Sequence, residues 1–177
     1  VYSHHNVFKK GDLLQSAPAG DKLTITLSAS LPGSAASRAF DRDGMTLTEM
    51  RIIEDGKAVS YHGSNRFGQY LQEQPTGLLP CICLDPGTAG DAEFAEGAYL
   101  EILSMSGIQT DFYSDYMGGE IRLANWHDGE TIVPVTGVSI SGKLSEVLNH
   151  IRFSKNCTLS GSYHGPDKAI IEGMNIF

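Results

Sequence analysis

The chain has 177 residues, 41% of them hydrophobic, which suits one medium domain or two small ones around a shared core. Its formal net charge is −8, and its 13 lysines and arginines form no basic patch of the kind that nucleic acid or an anionic membrane requires. No apolar stretch reaches the ~18 residues of a membrane span, and three cysteines suit a reducing compartment, so we expect a cytoplasmic protein.

The first half of the chain predicts strands joined by tight turns. Leu23, Ile25 and Leu27 alternate with polar residues, which is the period of a half-buried strand. The segment TLTEMRIIEDGKAVSYHG predicts two strands around Asp55 and Gly56. Both residues tolerate the positive φ that a type I′ hairpin turn requires.

The middle of the chain predicts short elements. SNRFGQYLQEQ is typical of a short helix or a loop, and LLPCICLDPG of a brief strand that ends at its Asp-Pro-Gly. Asp91 is a candidate N-cap for a short helix that begins at Ala92. AYLEILSM then predicts another strand.

A second hairpin is predicted further along, where GEIRLANW and ETIVPV flank Asp128 and Gly129. Pro134 cannot donate a ladder hydrogen bond, so its strand is expected to lie at an edge or to end there. VSISG is a candidate for one more strand, and AIIEGMNIF predicts a terminal strand.

One amphipathic helix stands out near the C-terminal end. Leu144, Val147, Leu148 and Ile151 recur at helical spacing, and Ser141 is a candidate N-cap. Together these patterns predict a β-rich α+β fold. It has antiparallel or mixed sheets, β-hairpins and one or two amphipathic helices.

The two hairpins resemble each other. Residues 51–59 read RIIEDGKAV and residues 122–133 read RLANWHDGETIV. Both run from an arginine through an acidic residue and a glycine to a valine. This indicates a possible duplicated β unit, although the match is too short for a repeat protein.

No strong metal or catalytic motif is present. The sequence lacks H-E-x-x-H, and Cys81 and Cys83 have no second cysteine pair, so core packing is the simpler interpretation of these thiols. His4 and His5 lie at a chain end, where solvent exposure is expected.

The segment Trp126-His127-Asp128-Gly129-Glu130 gathers residue types that occur in active sites. Adjacent side chains on a tight turn diverge, and the turn itself accounts for Asp128. We therefore predict a structural role for Asp128 and Gly129, and no catalytic residue in this segment.

Two segments resemble the TldD/PmbA family of zinc peptidases, once described as modulators of DNA gyrase. The first is AFDRDGMTLTEMRIIEDGKAVSYHGSNRFGQYLQEQPTG, which is similar to F-D-x-E-G, R-x-x-I-x-x-G-x-L and S-T-G phrases of that family. The matching residues, in order, are Phe40, Asp41, Asp43, Gly44, Arg51, Ile53, Gly56, Thr76 and Gly77.

The second segment is SDYMGGEIRLANWHDGETIVPVTGVSISGKLSEVLNHI. Its matching residues are Asp115, Tyr116, Gly129, Glu130, Pro134, Val135, Ser139, Ile140, Gly142, Leu144 and Ile151. The ending HGPDKAIIEGMNIF is also similar to the last strand of the family. Nearly all 177 residues are covered, and the order and spacing of these loose motifs carry the resemblance.

The chain departs from the metal-binding branch of the family. That branch carries an H-E-x-x-x-H helix, which would lie before Val1, and a late cysteine in a C-G-K-like phrase. The corresponding segment here is SGSYHGPDKAII, which has no thiol, and Cys157 lies earlier. The resemblance therefore implies residues 1–177 as the C-terminal domain of a TldE- or PmbA-type protein, with no metal ligands of its own.

The resemblance implies peptide processing beside a TldD-like zinc-bearing subunit, or with further copies of the same chain. The zinc would belong to the catalytic partner, and this chain would bind no nucleic acid and no membrane. A peptide could add as a strand to an exposed sheet edge. Gly118 and Gly119 are candidate contacts because they permit close backbone approach, although a bulge or bend explains them as well. Trp126 and His127 are candidate contacts with a partner.

Two other functions stay open on the sequence. The protein could be a zinc peptidase in its own right, with ligands before Val1 that His164 or Cys157 completes. It could also be a β-rich binding module that has no connection with peptidases.

Overall fold

A computed structural model describes residues 8–177, so His4 and His5 lie outside the described range. The helices are α1, Asn65–Leu71, and α2, Leu144–His150, and a 3-10 turn spans Glu93–Ala95. The strands are β1 Ile25–Ser28, β2 Met50–Glu54, β3 Lys57–Ala58, β4 Cys81–Leu84, β5 Tyr99–Asp111, β6 Tyr116–His127, β7 Ile132–Val135, β8 Val138–Lys143, β9 Arg152–Phe153, β10 Cys157–Ser160, β11 Tyr163–Pro166, β12 Ala169–Ile170 and β13 Asn175–Ile176. Within residues 8–177, no helix has the length and apolar character to cross a membrane.

The larger sheet has six strands in the order β10-β11-β4-β1-β2-β3. Its pairs are antiparallel except β4 with β11, which is parallel and joins distant parts of the chain. Leu27, Leu47 and Leu79 form its buried cluster, against which Met50 and Ile52 pack. The predicted strand is confirmed as β1, but burial does not follow the predicted alternation: Leu27 is buried, Ile25 is only partly buried, and Thr24, on the predicted polar face, is buried.

The second sheet has five strands, in the order β13-β8-β6-β5 with β7 also paired to β6. On one side of β6, the first half of the strand pairs with β8 and the second half with β7. On its other side, β6 pairs with almost the whole length of β5. Ile121, Ala124 and Ile140 form the buried cluster of this sheet. The predicted β-rich α+β fold is confirmed, and β9 and β12 add a separate two-stranded sheet.

The first hairpin turn has the predicted geometry. Asp55 and Gly56 have φ of 49° and 78°, as a two-residue type I′ loop requires. The second turn is built differently, because Gly129 has a positive φ of 96° and Asp128 does not. The loop between β6 and β7 spans residues 128–131. The two similar segments therefore lie in different sheets and turn in different ways.

The predicted N-cap of α2 is wrong. Ser141 lies inside β8, and Lys143 occupies the cap position without a side-chain cap hydrogen bond. Asp115, from the turn between β5 and β6, takes over this role: its Oδ1 accepts from the Ser145 N–H at 2.7 Å and its backbone oxygen from the Leu144 N–H at 3.2 Å. The apolar face is confirmed, since Leu144 and Val147 are buried. The strand hairpin β5–β6 is thereby tied to the helix.

Two further predictions need correction. Asp91 does not cap the 3-10 turn, because its Oδ1 accepts from the Asn156 side-chain amide at 3.3 Å, and the turn begins at Glu93 without a side-chain cap. The predicted terminal strand is split into β12, which pairs with β9, and β13, which pairs with β8. Gly173, with φ of 75°, lies between the two pieces and redirects the chain.

Candidate functional site

A shallow groove of about 550 Å³ lies over the middle of the five-stranded sheet, and both predicted glycines line it. Strand β5 contributes Gly107 and Gln109, β6 contributes Gly118 and Gly119, and the chain end contributes Phe177. The volume is within the range of ~300–1,000 Å³ that ligand pockets occupy. The structure thus brings the two glycines to one open surface.

The glycines also permit close approach within the sheet itself. A Cβ at Gly118 would lie 2.8 Å from the carbonyl oxygen of Ile140 on β8. A Cβ at Gly119 would lie 3.2 Å from Cα of Ile108, where the β5–β6 register shifts between Ser106 and Gln109. This irregularity is a bulge of the kind that glycine accommodates. Close strand packing and the groove therefore depend on the same two residues.

Trp126 and His127 lie on opposite faces of β6, as alternation along a strand requires. Trp126 is 37% exposed and faces the same way as Leu100, its cross-strand neighbour. His127 pairs with Tyr99, and their rings stack at 4.3 Å between centroids. The two residues therefore present different surfaces, and only Trp126 offers a large exposed area.

The partner of His127 is Glu101 rather than the adjacent Asp128. The distance from His127 Nε2 to Glu101 Oε2 is 3.1 Å, and the side-chain amide of Asn125 donates to the same oxygen at 3.1 Å. The hydrogen bonds from Asn125 and His127 lower the pKa of Glu101. Sequence reasoning missed Glu101, although its place two residues after Tyr99 puts both on one face of a strand.

Asp128 is occupied by its own turn. Its carboxylate accepts hydrogen bonds from the backbone N–H groups of Glu130 and Thr131, at 2.9 and 2.7 Å, and from the Thr131 hydroxyl at 2.8 Å. The bonds from Thr131 and Glu130 lower the pKa of Asp128 from 3.8 to about 2. The structural role predicted for this residue agrees with these contacts.

Replacing Asp128 with alanine should therefore destabilise the protein in a pH-dependent way. Because the folded pKa is depressed, the stabilisation is complete above the unfolded value near 4 and is lost as pH falls toward 2. Urea midpoints at pH 7 and at pH 2.5 should show a wide gap between variant and wild type that narrows in acid. Asp43→Ala, on an exposed loop, is the control, and an equal gap at both pH values would contradict the assignment.

The candidate metal ligands do not gather. Among residues 8–177, no group of three or more His, Cys, Asp or Glu side chains is close enough to hold a metal ion. Cys81 is buried in the larger sheet, and burial raises the pKa of the partly exposed Cys83. Cys157 and His164 lie on β10 and β11 opposite Pro166 and Leu159, not opposite each other. These residues do not fit a complete zinc site.

Solved structures share this fold. A candidate modulator of DNA gyrase from Thermotoga maritima superposes with a TM-score of 0.76 at 19% identity, over 96% of this chain and 41% of its own. Another such candidate, from Bacteroides thetaiotaomicron, has a TM-score of 0.72 at 18% identity, over 93% and 38%. TldE from Thermococcus kodakarensis has a TM-score of 0.73 at 14% identity, over 95% and 41%.

The chain thus spans about two fifths of the length of these structures, and no curated protein matches it by sequence. The family profile described as the PmbA/TldA metallopeptidase C-terminal domain matches residues 1–177, from one end of the chain to the other. This match agrees with the motifs quoted above and with the shared fold. The chain belongs to the PmbA/TldA metallopeptidase C-terminal domain family.

Proposed function

We propose that this chain is the C-terminal domain of a non-catalytic subunit that works beside a TldD-like, zinc-bearing peptidase subunit. Its role is to assemble with that subunit and to form part of the chamber in which peptides are cleaved. The zinc belongs to the partner subunit in this proposal. The observation that carries it is the free edge of β5.

The edge of β5 is long and exposes three large apolar side chains. The strand runs for 13 residues, and β6 is its only strand partner in the described part of the chain. Ile102, Leu103 and Ile108 along it are 40%, 53% and 58% exposed. No lysine, arginine or proline protects this edge, although such residues usually prevent strands from pairing with other chains. A free edge of this kind suits the addition of another strand.

An extended peptide that pairs with β5 would be held by its backbone, while its alternate side chains meet the surface beside the strand. The groove around Gly118 and Gly119 lies next to that edge, since Gly107 and Gln109 of β5 belong to its lining. Recognition through the backbone tolerates many sequences, which suits a chamber for unfolded peptides. We assign peptide contact to the β5 edge together with this groove.

Trp126 fits the assembly part of the role. It is exposed beside Val133 of β7, its cross-strand neighbour, which is itself 49% exposed. Large exposed aromatic and aliphatic side chains on a sheet face are typical centres of protein interfaces. His127 stacks on Tyr99 and is hydrogen-bonded to Glu101, so it holds these two residues of the neighbouring strand β5 in place.

The proposal is tested by placing charge on the edge. Leu103→Lys with Ile108→Lys should lower peptide cleavage by the assembled complex at least about tenfold, because edge lysines oppose strand addition. Both side chains are exposed, so the fold should persist, and circular dichroism checks this. Cleavage of a labelled unfolded peptide by the full-length protein mixed with its zinc-bearing partner is the measurement.

The matched control is Leu159→Lys on β10, an edge strand of the other sheet, where the leucine is 40% exposed. This variant should cleave as wild type does. Equal cleavage by the edge variant and the control would exclude β5 as the peptide edge. Stoichiometric zinc in the purified protein alone, lost on Cys157→Ser or His164→Ala, would contradict the non-catalytic role.

A further inference from the structure

A second cavity, of about 510 Å³, lies between the β2–β3 hairpin, helix α1 and the segment that begins at Phe8. Its volume also falls within the ligand-binding range of ~300–1,000 Å³. The motifs quoted from the sequence assign it no role. Its lining separates into an apolar part and a cationic part.

The apolar part is formed by Ile52, Phe67 and Leu71, which come from β2 and α1. Ala58 and Gly63, two small residues of the lining, leave the space between these elements open. Such a surface stabilises a branched or aromatic side chain by removing its apolar area from water.

The cationic part is formed by Lys9 and Lys10. They are the only adjacent pair of lysine or arginine residues in a sequence whose net charge is −8. Within residues 8–177, neither side chain takes part in an ion pair. Among the described residues of the lining, Glu73 is the one carboxylate, so these residues together carry net positive charge. This charge complements an anionic ligand.

The other polar groups of the lining add no charge at neutral pH. His62 Nε2 accepts a hydrogen bond from the Leu79 N–H at 3.0 Å, so this nitrogen carries no proton. Desolvation of the ring lowers the pKa of His62. The Tyr61 hydroxyl accepts from the Lys10 N–H at 3.3 Å and holds the lysine segment against the cavity.

The cavity adjoins the hairpin that carries the proposed peptide edge. Phe8, in its lining, packs edge-on against Phe112, one residue beyond the end of β5, with 4.9 Å between ring centroids. A peptide that pairs parallel to β5 would have its C-terminus near this contact. The position of the cavity therefore suits the end of an extended chain.

We propose that this cavity binds the C-terminal residue of a peptide, with its apolar side chain against Ile52, Phe67 and Leu71 and its free carboxylate beside Lys9 and Lys10. The choice of ligand rests on the proposed role in peptide processing. The two lysines have no acidic ion-pair partner among the described residues, and the peptide carboxylate would be that partner. Charge-assisted hydrogen bonds to a carboxylate are strong.

The test uses a fluorescein-labelled hexapeptide that ends in leucine, and the full-length protein, with binding followed by fluorescence anisotropy. The free acid should bind about tenfold more tightly than the same peptide with a C-terminal amide. Lys9→Gln with Lys10→Gln should abolish this preference. Lys155→Gln with Lys168→Gln removes the same charge elsewhere and should preserve it. Ser60→Trp, which fills the cavity, should weaken both peptides.

Equal affinity for acid and amide, or a preference that survives the Lys9 and Lys10 substitutions, would overturn the proposal. A peptide ending in aspartate that binds as well as the leucine peptide would also overturn it. The edge variant at Leu103 and Ile108 separates the two proposals. If this variant cleaves as wild type does while the preference for the free acid persists, the assignment of β5 fails and the cavity assignment stands. If it lowers cleavage while no preference for the free acid is found, only the cavity assignment fails.

Discussion

Replacing Gln15 with leucine is expected to lower the free energy of unfolding by about 3 kcal/mol, because one buried and two partly buried backbone groups would lose their partner. Gln15 is only 2% exposed. Its Oε1 accepts from the Leu23 N–H at 2.7 Å, and its Nε2 donates to the backbone oxygens of Asp21, at 3.0 Å, and Leu148. One side chain thus joins the entry to β1 with the end of α2.

The size of this effect comes from burial rather than from the number of bonds. Leucine has a similar volume but leaves the buried Leu23 N–H and the partly buried carbonyl oxygens of Asp21 and Leu148 without this partner. A fall of roughly 6–12 °C in Tm is expected for a domain of this size. Gln69→Leu, on the exposed side of α1, should change Tm by less than about 2 °C. Equal shifts in both variants would show that the Gln15 network contributes little.

Replacing Ile121 with alanine is expected to lower the free energy of unfolding by about 3–4 kcal/mol, since it opens a cavity in the interior. Ile121 is 1% exposed and packs with Ala124 and Ile140 at the centre of the five-stranded sheet. Neighbouring strands on both sides restrict collapse around the lost atoms, because β6 is bonded to β5 and to β8 there. Urea unfolding monitored by circular dichroism measures the change.

The matched control for this variant is Ile132→Ala on β7, where the isoleucine is 63% exposed. It removes the same atoms from a surface position and should change the free energy of unfolding by less than about 0.5 kcal/mol. A small loss for Ile121→Ala would mean that the sheet repacks freely. The cluster around Ile121 would then not be the centre of the sheet's stability.

Local patterns predicted most of the elements. The alternation at Leu23 and Leu27 and the Asp55-Gly56 pair depend on residues a few positions apart, and those interactions are visible in a single sequence. The apolar spacing of Leu144 and Val147 predicted α2 for the same reason. In each case the residues that decide the element lie within it.

Contacts between distant residues were not predictable in this way. Asp115 caps α2 from a turn 30 positions earlier, so inspection of the helix sequence alone favoured Ser141. The length of β5 was underestimated because its second half is polar and contains Gly107, and its pairing with β6 overrides the weak local preference.

In the candidate site, too, residues chosen by a local pattern were predictable and contacts between distant residues were not. Gly118 and Gly119 could be selected from the sequence, because glycine pairs in strands mark close backbone approach. The pairing of His127 with Glu101 could not, since it depends on the register between β5 and β6 across 26 positions. The cavity beside Lys9 and Lys10 depends on three separate chain segments and carries no local motif.

The parallel pairing of β4 with β11 has a consequence for folding during synthesis. The chain forms β1 to β4 of one sheet, leaves to form most of the other, and returns only with β10 and β11. Strand β13, which pairs with β8, follows the other strands of both sheets in the chain. The larger sheet cannot be completed until β10 and β11 have been made, so one edge of β4 stays unpaired while β5 to β9 are synthesised. Such non-local closure slows folding and exposes strands that aggregate, which favours prompt protection by a chaperone or by a partner chain.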